Sequence, residues 1–326
     1  MLWVNDESLL SLAPGPRPAP FLLSEPVWYS RQMRFIVNPA AAGGRLGREW
    51  PRRSAVLTEL GLDGEVVMTE GPWHAIDLAR RAVEEGHERV VAVGGDGTMN
   101  QTATGLCRAG GGTLCILPLG TGNDGARTLG IPLEWRAAAE LIVDGGRREI
   151  DMIRINEHLV FNAIGVGLLG DISSRAAKVK LVRGLLAYLG TALVSLVRFE
   201  SPPVVIETPD QRYEGEMTVL AVHGGPTTGG GFNLAPRAVP DDGLLDATMV
   251  PGIGPLGRVP RLIAAMRGRL GEWADTVEFR APWLEMRFDR PLPMHVDGDE
   301  AVLEPPVARF EVLPKAVTVA VPRAST

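Results

Sequence analysis

The chain is short of the residues on which several kinds of function depend. It has two cysteines in 326 residues, Cys107 and Cys115, which fit neither a disulfide scaffold nor a thiolate zinc site; reduced, buried thiols are expected. Its five histidines form no cluster, which argues against a transition-metal centre. Lysine is confined to Lys178, Lys180 and Lys315, and no Lys/Arg run is dense enough to suggest nucleic acid. No run is long enough to be a transmembrane helix: the strongly apolar, uncharged stretch from Gly184 to Val197 has only 14 residues. The first 32 residues carry Asp6 and Glu7 where a signal peptide would be positive, together with Pro14, Pro16, Pro18, Pro20 and Pro26 and no helical period. They read as a poorly ordered extension, with a partner-binding arm around Trp3 or Trp28 as the other reading. The rest is ordinary for a cytoplasmic globular protein of two domains: 45% hydrophobic, 22% charged, net charge −6.

Glycine is plentiful, and its placement is informative. Val90 to Val93 form a buried strand too short to be a helix. Gly94, Gly95 and Gly97 then break it around Asp96, each removing a Cβ where backbone must approach something closely. Thr98 is a good N-cap for the segment that follows, so these glycines lie between a strand end and a helix start, where free N–H groups and the helix dipole favour a phosphate. The Asp96 carboxylate would repel that phosphate unless a cation bridged them, which implies Mg²⁺. Leu114 to Leu119 repeat the pattern and end in Gly120-Thr121-Gly122-Asn123-Asp124-Gly125, where Asn123 or Asp124 can cap the next helix. Upstream, Arg34 to Val37 lead into Asn38-Pro39 and a run of small residues. Three such loops describe the carboxyl edge of an open α/β sheet, where ligands bind. None matches the lysine-bearing phosphate loop or the dinucleotide fingerprint.

In this order, Asn38-Pro39, Gly94-Gly95-Asp96-Gly97-Thr98 and Gly120-Thr121-Gly122-Asn123-Asp124 resemble the diacylglycerol kinase catalytic family, which includes bacterial lipid kinases and the sphingosine and ceramide kinases. The resemblance continues through Phe161-Asn162, Gly165, Gly230-Gly231-Phe232, Pro240 to Asp246 and His295-Val296-Asp297-Gly298-Asp299, so it spans roughly residues 33 to 323. It implies a Mg²⁺- and ATP-dependent lipid kinase acting on diacylglycerol or a similar acceptor. Asn38, Pro39, Gly94, Gly95, Gly97, Thr98, Gly120, Thr121, Gly122 and Asn123 would bind ATP. Asp96 would hold the catalytic Mg²⁺ through water, and Asp124 would sit in the same polar network. Asp242 and the Leu244 carbonyl resemble a structural Mg²⁺ position, although an Asp-Gly turn explains that segment equally well.

Two positions depart from the family pattern. The family's base is a Gly-preceded Glu, whereas this chain has Asp299, one methylene shorter, followed by Glu300 as the alternative. An extended segment would turn Glu300 to the opposite side, which favours Asp299. Gly125 replaces a larger apolar residue and is expected to loosen helix packing near the nucleotide.

The fold expected is α/β plus β, with a cleft between a small doubly wound nucleotide-binding domain (33–147 plus 313–323) and a β-sandwich-like lipid-substrate domain (148–312). Helices are expected at Ser54 to Leu60 and Trp73 to Glu85, and strands at Ile150 to Ile155, Leu159 to Ile164, Val204 to Thr208, Glu216 to His223, Thr276 to Arg280, Leu284 to Asp289 and Met294 to Val296. The apolar stretch at 184–197 reads as a helix packed on the β-domain or as a wall that receives acyl chains. A lipid presented by a membrane surface would be the partner; the enzyme would be cytoplasmic or peripheral on the membrane, and a homodimer is compatible with the sequence. The rivals are a NAD kinase-like enzyme, disfavoured by Gly120 to Asp124, the Asp297-Gly298 hairpin and the apolar stretch, and a lipid- or nucleotide-binding regulator without catalysis.

Overall fold

The computed structural model describes residues 33–178 and 194–323. The N-terminal extension and most of the apolar stretch at 184–197 lie outside them. Four parallel strands, β1 (Met33–Val37), β2 (Glu65–Met68), β3 (Arg89–Gly94) and β4 (Thr113–Pro118), stand in the order β2-β1-β3-β4. Strands β1 and β4 are buried throughout and β3 nearly so, as expected of parallel strands covered on both faces. The cover comes from α1 (Ala41–Glu59), α2 (His74–Glu84), α3 (Asp96–Ala109), the single turn α4 (Asp124–Thr128) and α5 (Trp135–Asp144). Ala75, Ala79 and Ala82 form the buried face of α2 and bring it very close to α3. A Cβ at Gly105 of α3 would lie 2.4 Å from the Ile76 carbonyl oxygen, so only glycine permits this crossing.

Two helix starts differ from the sequence expectation. Helix α3 begins at Asp96 with Gly95 as N-cap, so Thr98 lies inside the first turn rather than capping it. Its hydroxyl is turned to Asn38 instead. Helix α1 starts well before Ser54; Ala42, Gly43 and Gly44 have positive φ within it, which keeps the loop character of that run before the regular turns begin.

The second half is built from β5 (Gly146–Ile155), β6 (His158–Val160), β7 (Ala163–Gly167), β8 (Pro203–Glu207), β9 (Arg212–His223), the short β10 (Thr227–Thr228) and β11 (Phe232–Asn233), β12 (Leu245–Pro251), β13 (Val277–Ala281), β14 (Trp283–Phe288), β15 (Leu292–Val296), β16 (Asp299–Leu303) and β17 (Val307–Val321). Strand β9 turns a corner: its first half pairs with β8 and its second half with β7 and β12. Ile164, Val222 and Met294 on one layer meet Leu284, Met286 and Phe310 on the other, which is a sandwich core. The outer face of β7, β9 and β12 is covered by α6 (Leu168–Lys178), the helical residues 194–198 and α7 (Pro255–Met266).

Strand β17 joins the two halves. Strand β5 runs antiparallel along nearly all of it, while its other edge meets β14 first and then β4, with Thr318 opposite Thr113 and Val319 opposite Leu114. Both thiols are free; Cys107 is half-buried, and burial pushes the Cys115 thiol up to about 12.

The sequence expectation of one strand over Leu159 to Ile164 fails at Phe161-Asn162, where the chain leaves β6 and enters β7. The cause is Asp297, whose carboxylate takes the N–H groups of Phe161, Asn162 and Ala163 and so replaces the ladder there. Helix α7 was not expected either. Pro255, Gly257 and Pro260 are poor helix formers, yet Pro255 stands in the first turn, where a missing N–H costs nothing.

Candidate active site

The topology places the loops after β1 and β3 side by side at the point where strand order reverses, the usual ligand position in such sheets. Asn38 ties them together: its N–H bonds the Val93 carbonyl, its side-chain amide donates to Thr98 Oγ1 at 3.0 Å, and its Oδ1 accepts from Ala40 N. Pro39 turns the chain into α1, where Gly47 packs so closely that a Cβ would lie 2.9 Å from the Pro39 carbonyl oxygen. The loop after β4 lies directly on the loop after β3, because a Cβ at Gly120 would fall 2.2 Å from Gly95 Cα. Gly94 is pressed by Thr98 in the same way. Asn123 has positive φ and holds its own loop, accepting from Gly120 N at 3.1 Å and donating to the Pro118 and Gly120 carbonyls. Thr121 is exposed at the rim.

Two carboxylates converge on Gly122. A Cβ there would lie 2.8 Å from Asp96 Oδ2 and 3.2 Å from Asp124 Oδ2. Asp96 Oδ1 accepts the Gly125 N–H at 3.0 Å, and Asp124 Oδ2 accepts the Gly230 N–H at 2.6 Å. The other oxygen of Asp124 is buried and has no partner among the described residues. Burial raises the Asp96 pKa, the Gly125 N–H lowers it, and the neighbouring Asp124 charge raises it again. A pair of acidic groups with an orphaned oxygen beside a side-chain-free position is suited to a hard divalent cation, which would relieve both the repulsion and the unpaired acceptor.

A third carboxylate comes from the β15–β16 hairpin. Asp299 lies over the first turn of α3: a Cβ at Gly97 would be 3.1 Å from both of its oxygens. Gln101 on α3 donates to Asp299 Oδ2 at 2.8 Å. Burial raises the Asp299 pKa against this hydrogen bond, which makes the carboxylate a better proton acceptor. Glu300 points to the other side of β16, where it is exposed and accepts from Ser174 of α6. The hairpin is fixed by Asp297, itself at positive φ, through the three N–H groups already described. Burial pushes the Asp297 carboxyl up to about 8, opposed by those donors. Asn100, one residue before Gln101, also accepts the Phe161 N–H, at 2.9 Å.

Gln101, Asn100 and Asp297 received no role from the sequence, although two polar amides in the opening turns of a buried helix are a usable signal. Asp151 was missed too. It accepts from Gly243 N and Lys315 N and pins the 240–243 loop to β5 and β17. Asp242 and Leu244 lie away from the three carboxylates: Asp242 accepts the Leu244 N–H and pairs with Arg280. The expected looseness at Gly125 is not found. A Cβ there would lie 1.9 Å from Met99 Cε and 3.0 Å from Phe161 Cε1, so the methionine and the ring fill the space. Among the described residues, the one cluster of three acidic or histidine groups close enough to share a metal is Glu65, Glu85 and His87, and Arg34 bonds both carboxylates there.

A pocket partly open to solvent lies at the other end of β7, under α6 and α7. Its walls include Leu168, Ile172, Val219, Leu262 and Leu270 and are mostly apolar, with Thr218, Arg258 and Arg261 as the polar members.

Residues 32–155 match the diacylglycerol kinase catalytic domain, and residues 162–321 match the YegS C-terminal NAD kinase beta sandwich-like domain. Over 290 residues the chain is 37% identical to the protein of Pseudomonas aeruginosa strain PAO1 named Probable lipid kinase YegS-like, covering 87% of this chain and 93% of that one. A protein of the same name from Xanthomonas campestris is 35% identical over 284 residues, 82% of this chain and 89% of its own length. The crystal structure of a candidate diacylglycerol kinase from Bacillus anthracis superposes with a TM-score of 0.73 at 26% identity, covering 89% of this chain and 97% of that one. With an α/β half, a sandwich half and carboxylates from both at one set of glycine loops, the chain belongs to the YegS-like lipid kinases with a diacylglycerol kinase catalytic domain.

Proposed function

We propose that the protein transfers the γ-phosphoryl group of ATP to the hydroxyl of a lipid, diacylglycerol or a close analogue, with Mg²⁺. The observation that carries this reading is the convergence of Asp96 and Asp124 on Gly122 with Asp299 standing over the first turn of α3. Phosphoryl transfer asks a protein for positioning, charge neutralisation and a proton acceptor, and this site has a group for each. The N–H groups at the start of α3 and the loop Gly120-Thr121-Gly122 would bind nucleotide phosphates, with Asn38 and Asn123 keeping the two loops in register. Asp96 and Asp124 would hold the metal, which when bound neutralises phosphate charge. Asp299, oriented by Gln101, would take the proton from the acceptor hydroxyl, and Glu300 faces the wrong side for that task. The Asp242 and Leu244 site is retained as a structural metal position that would require displacement of Arg280.

The apolar cavity under α6 and α7 supports a lipid acceptor over a soluble dinucleotide. The test is turnover of labelled ATP with purified protein against diacylglycerol, ceramide, sphingosine and a polyprenol in mixed micelles, with NAD in parallel. Phosphorylated lipid with no phosphorylated NAD is the expected result; the reverse would overturn the assignment.

A further inference from the structure

Helix α7 is apolar on two opposite faces. Leu262 and Ala265 turn inward, while Leu256, Val259 and Ile263 turn outward. The outward residues are spaced three and four apart, a single stripe, and Leu256 is 93% exposed. Isolated surface leucines are unremarkable, but a continuous stripe marks a surface that meets another apolar phase. The stripe does not end with the helix. Arg258 Nη1 donates to the Leu196 carbonyl at 2.8 Å, which sets residues 194–198 beside α7, and Val194 and Val197 are exposed there as well.

Charge separates the possible occupants. The net charge of the chain is −6, yet no Asp or Glu occurs between Asp246 and Glu272, a span that holds Arg258, Arg261, Arg267 and Arg269. Arg261 and Arg269 have carboxylate partners in Asp275 and Glu272. Arg258 is buried and bonds only the carbonyls of Ile253 and Leu196, so its charge is uncompensated by any carboxylate among the described residues. Arg267 continues the outward stripe one turn beyond Ile263, and Arg198 closes the 194–198 segment; both are exposed. An apolar stripe edged by arginines in an otherwise acidic molecule repels a second copy of itself and attracts an anionic interface.

We infer that the outer face of α7, with residues 194–198, docks the protein on an anionic lipid bilayer, lying in the plane of the interface rather than crossing it. The inference rests on the lipid-acceptor reading for its biological sense but not for its test. The full chain, without nucleotide, is sedimented with vesicles of phosphatidylcholine alone or mixed with phosphatidylglycerol. The parent should bind the mixed vesicles, and added salt should weaken binding. Leu256→Asp with Ile263→Asp should lower affinity at least tenfold, and Arg267→Gln about fivefold, with thermal stability unchanged because all three side chains are exposed. Sedimentation of the double variant equal to the parent overturns the proposal. So does a double variant that binds vesicles normally but loses a dimer present in the parent, which would make the face a contact between copies. Vesicle binding with no kinase turnover leaves the docking surface standing and rejects only the assignment above.

Discussion

At the scale of single residues, Asp96 and Asp124 lie against Gly122 while Asp299 lies against Gly97, and the proposed roles divide in the same way. Asp96→Asn keeps the Gly125 contact possible and removes the charge, so the fold should survive while turnover falls about 100-fold or more; titration of Mg²⁺ against rate checks it, and normal turnover at limiting Mg²⁺ rejects the role. Asp299→Asn should abolish turnover and leave nucleotide binding intact, with Glu300→Gln mild, as read by single-turnover kinetics beside a binding assay; an inactive Glu300 variant would move the base by one residue. Gly125→Ala is a packing test: with Met99 Cε in the way it should cost about 1–3 kcal/mol in urea denaturation, and an unchanged midpoint would mean that Met99 swings aside freely. Asp96, Asp124 and the glycines around them were legible in the sequence because close backbone approach requires glycine in any sequence that makes it. The partners of Asp299 were not, because Gln101 meets it across 198 residues of chain.

Among the elements, the β15–β16 hairpin depends on one side chain. Asp297→Ala would leave the buried N–H groups of Asn162 and Ala163 without an acceptor, Phe161 keeping Asn100, and at roughly 1–3 kcal/mol each this should lower thermal stability sharply and take activity with it. Asp297→Asn should be intermediate, since an amide oxygen can serve only some of those donors; calorimetry of both variants orders them, and equal loss would show that geometry rather than acceptor count matters. The strands of this region were readable in outline from alternation, but the half of β9 that pairs with β8, Arg212 to Glu216, lies almost wholly before the expected start at Glu216. The break between β6 and β7 was not readable, because a remote carboxylate causes it and nothing local announces it. Helix α7 was hidden for the opposite reason: its prolines and glycine contradict helix propensity locally, and packing over an apolar cavity overrides them.

For the molecule as a whole, pH should act through two histidines of the sandwich half, His223 fully buried and His295 partly buried. Burial lowers both His223 and His295 to about 4. His223 donates Nδ1–H to the Gly225 carbonyl, which leaves Nε2 a buried acceptor without a partner among the described residues. Because both folded pKa values lie below the unfolded one, the neutral rings contribute stability that is fully present above about pH 6.5. That stability is lost as pH falls toward 4, at roughly 1.4 kcal/mol per pH unit for each ring. Melting temperature measured from pH 7 to 4.5 should fall accordingly, and His223→Gln should reduce the slope while lowering stability at neutral pH only modestly. A slope unaffected by that change would place the acid sensitivity elsewhere.

The strand that joins the halves also sets the order in which the protein can be made. Val317, Val319, Ala320 and Val321 belong to the same buried cluster as Phe35, Val91 and Leu114, although more than 200 residues separate them in the chain. On a ribosome, the glycine-loop half is synthesised early and must wait with the edge of β4 bare until the sandwich half has followed it out. Isolating that half by truncation after β5 should therefore yield a sticky fragment, whereas a circular permutant that carries β17 ahead of β1 would let it close at once.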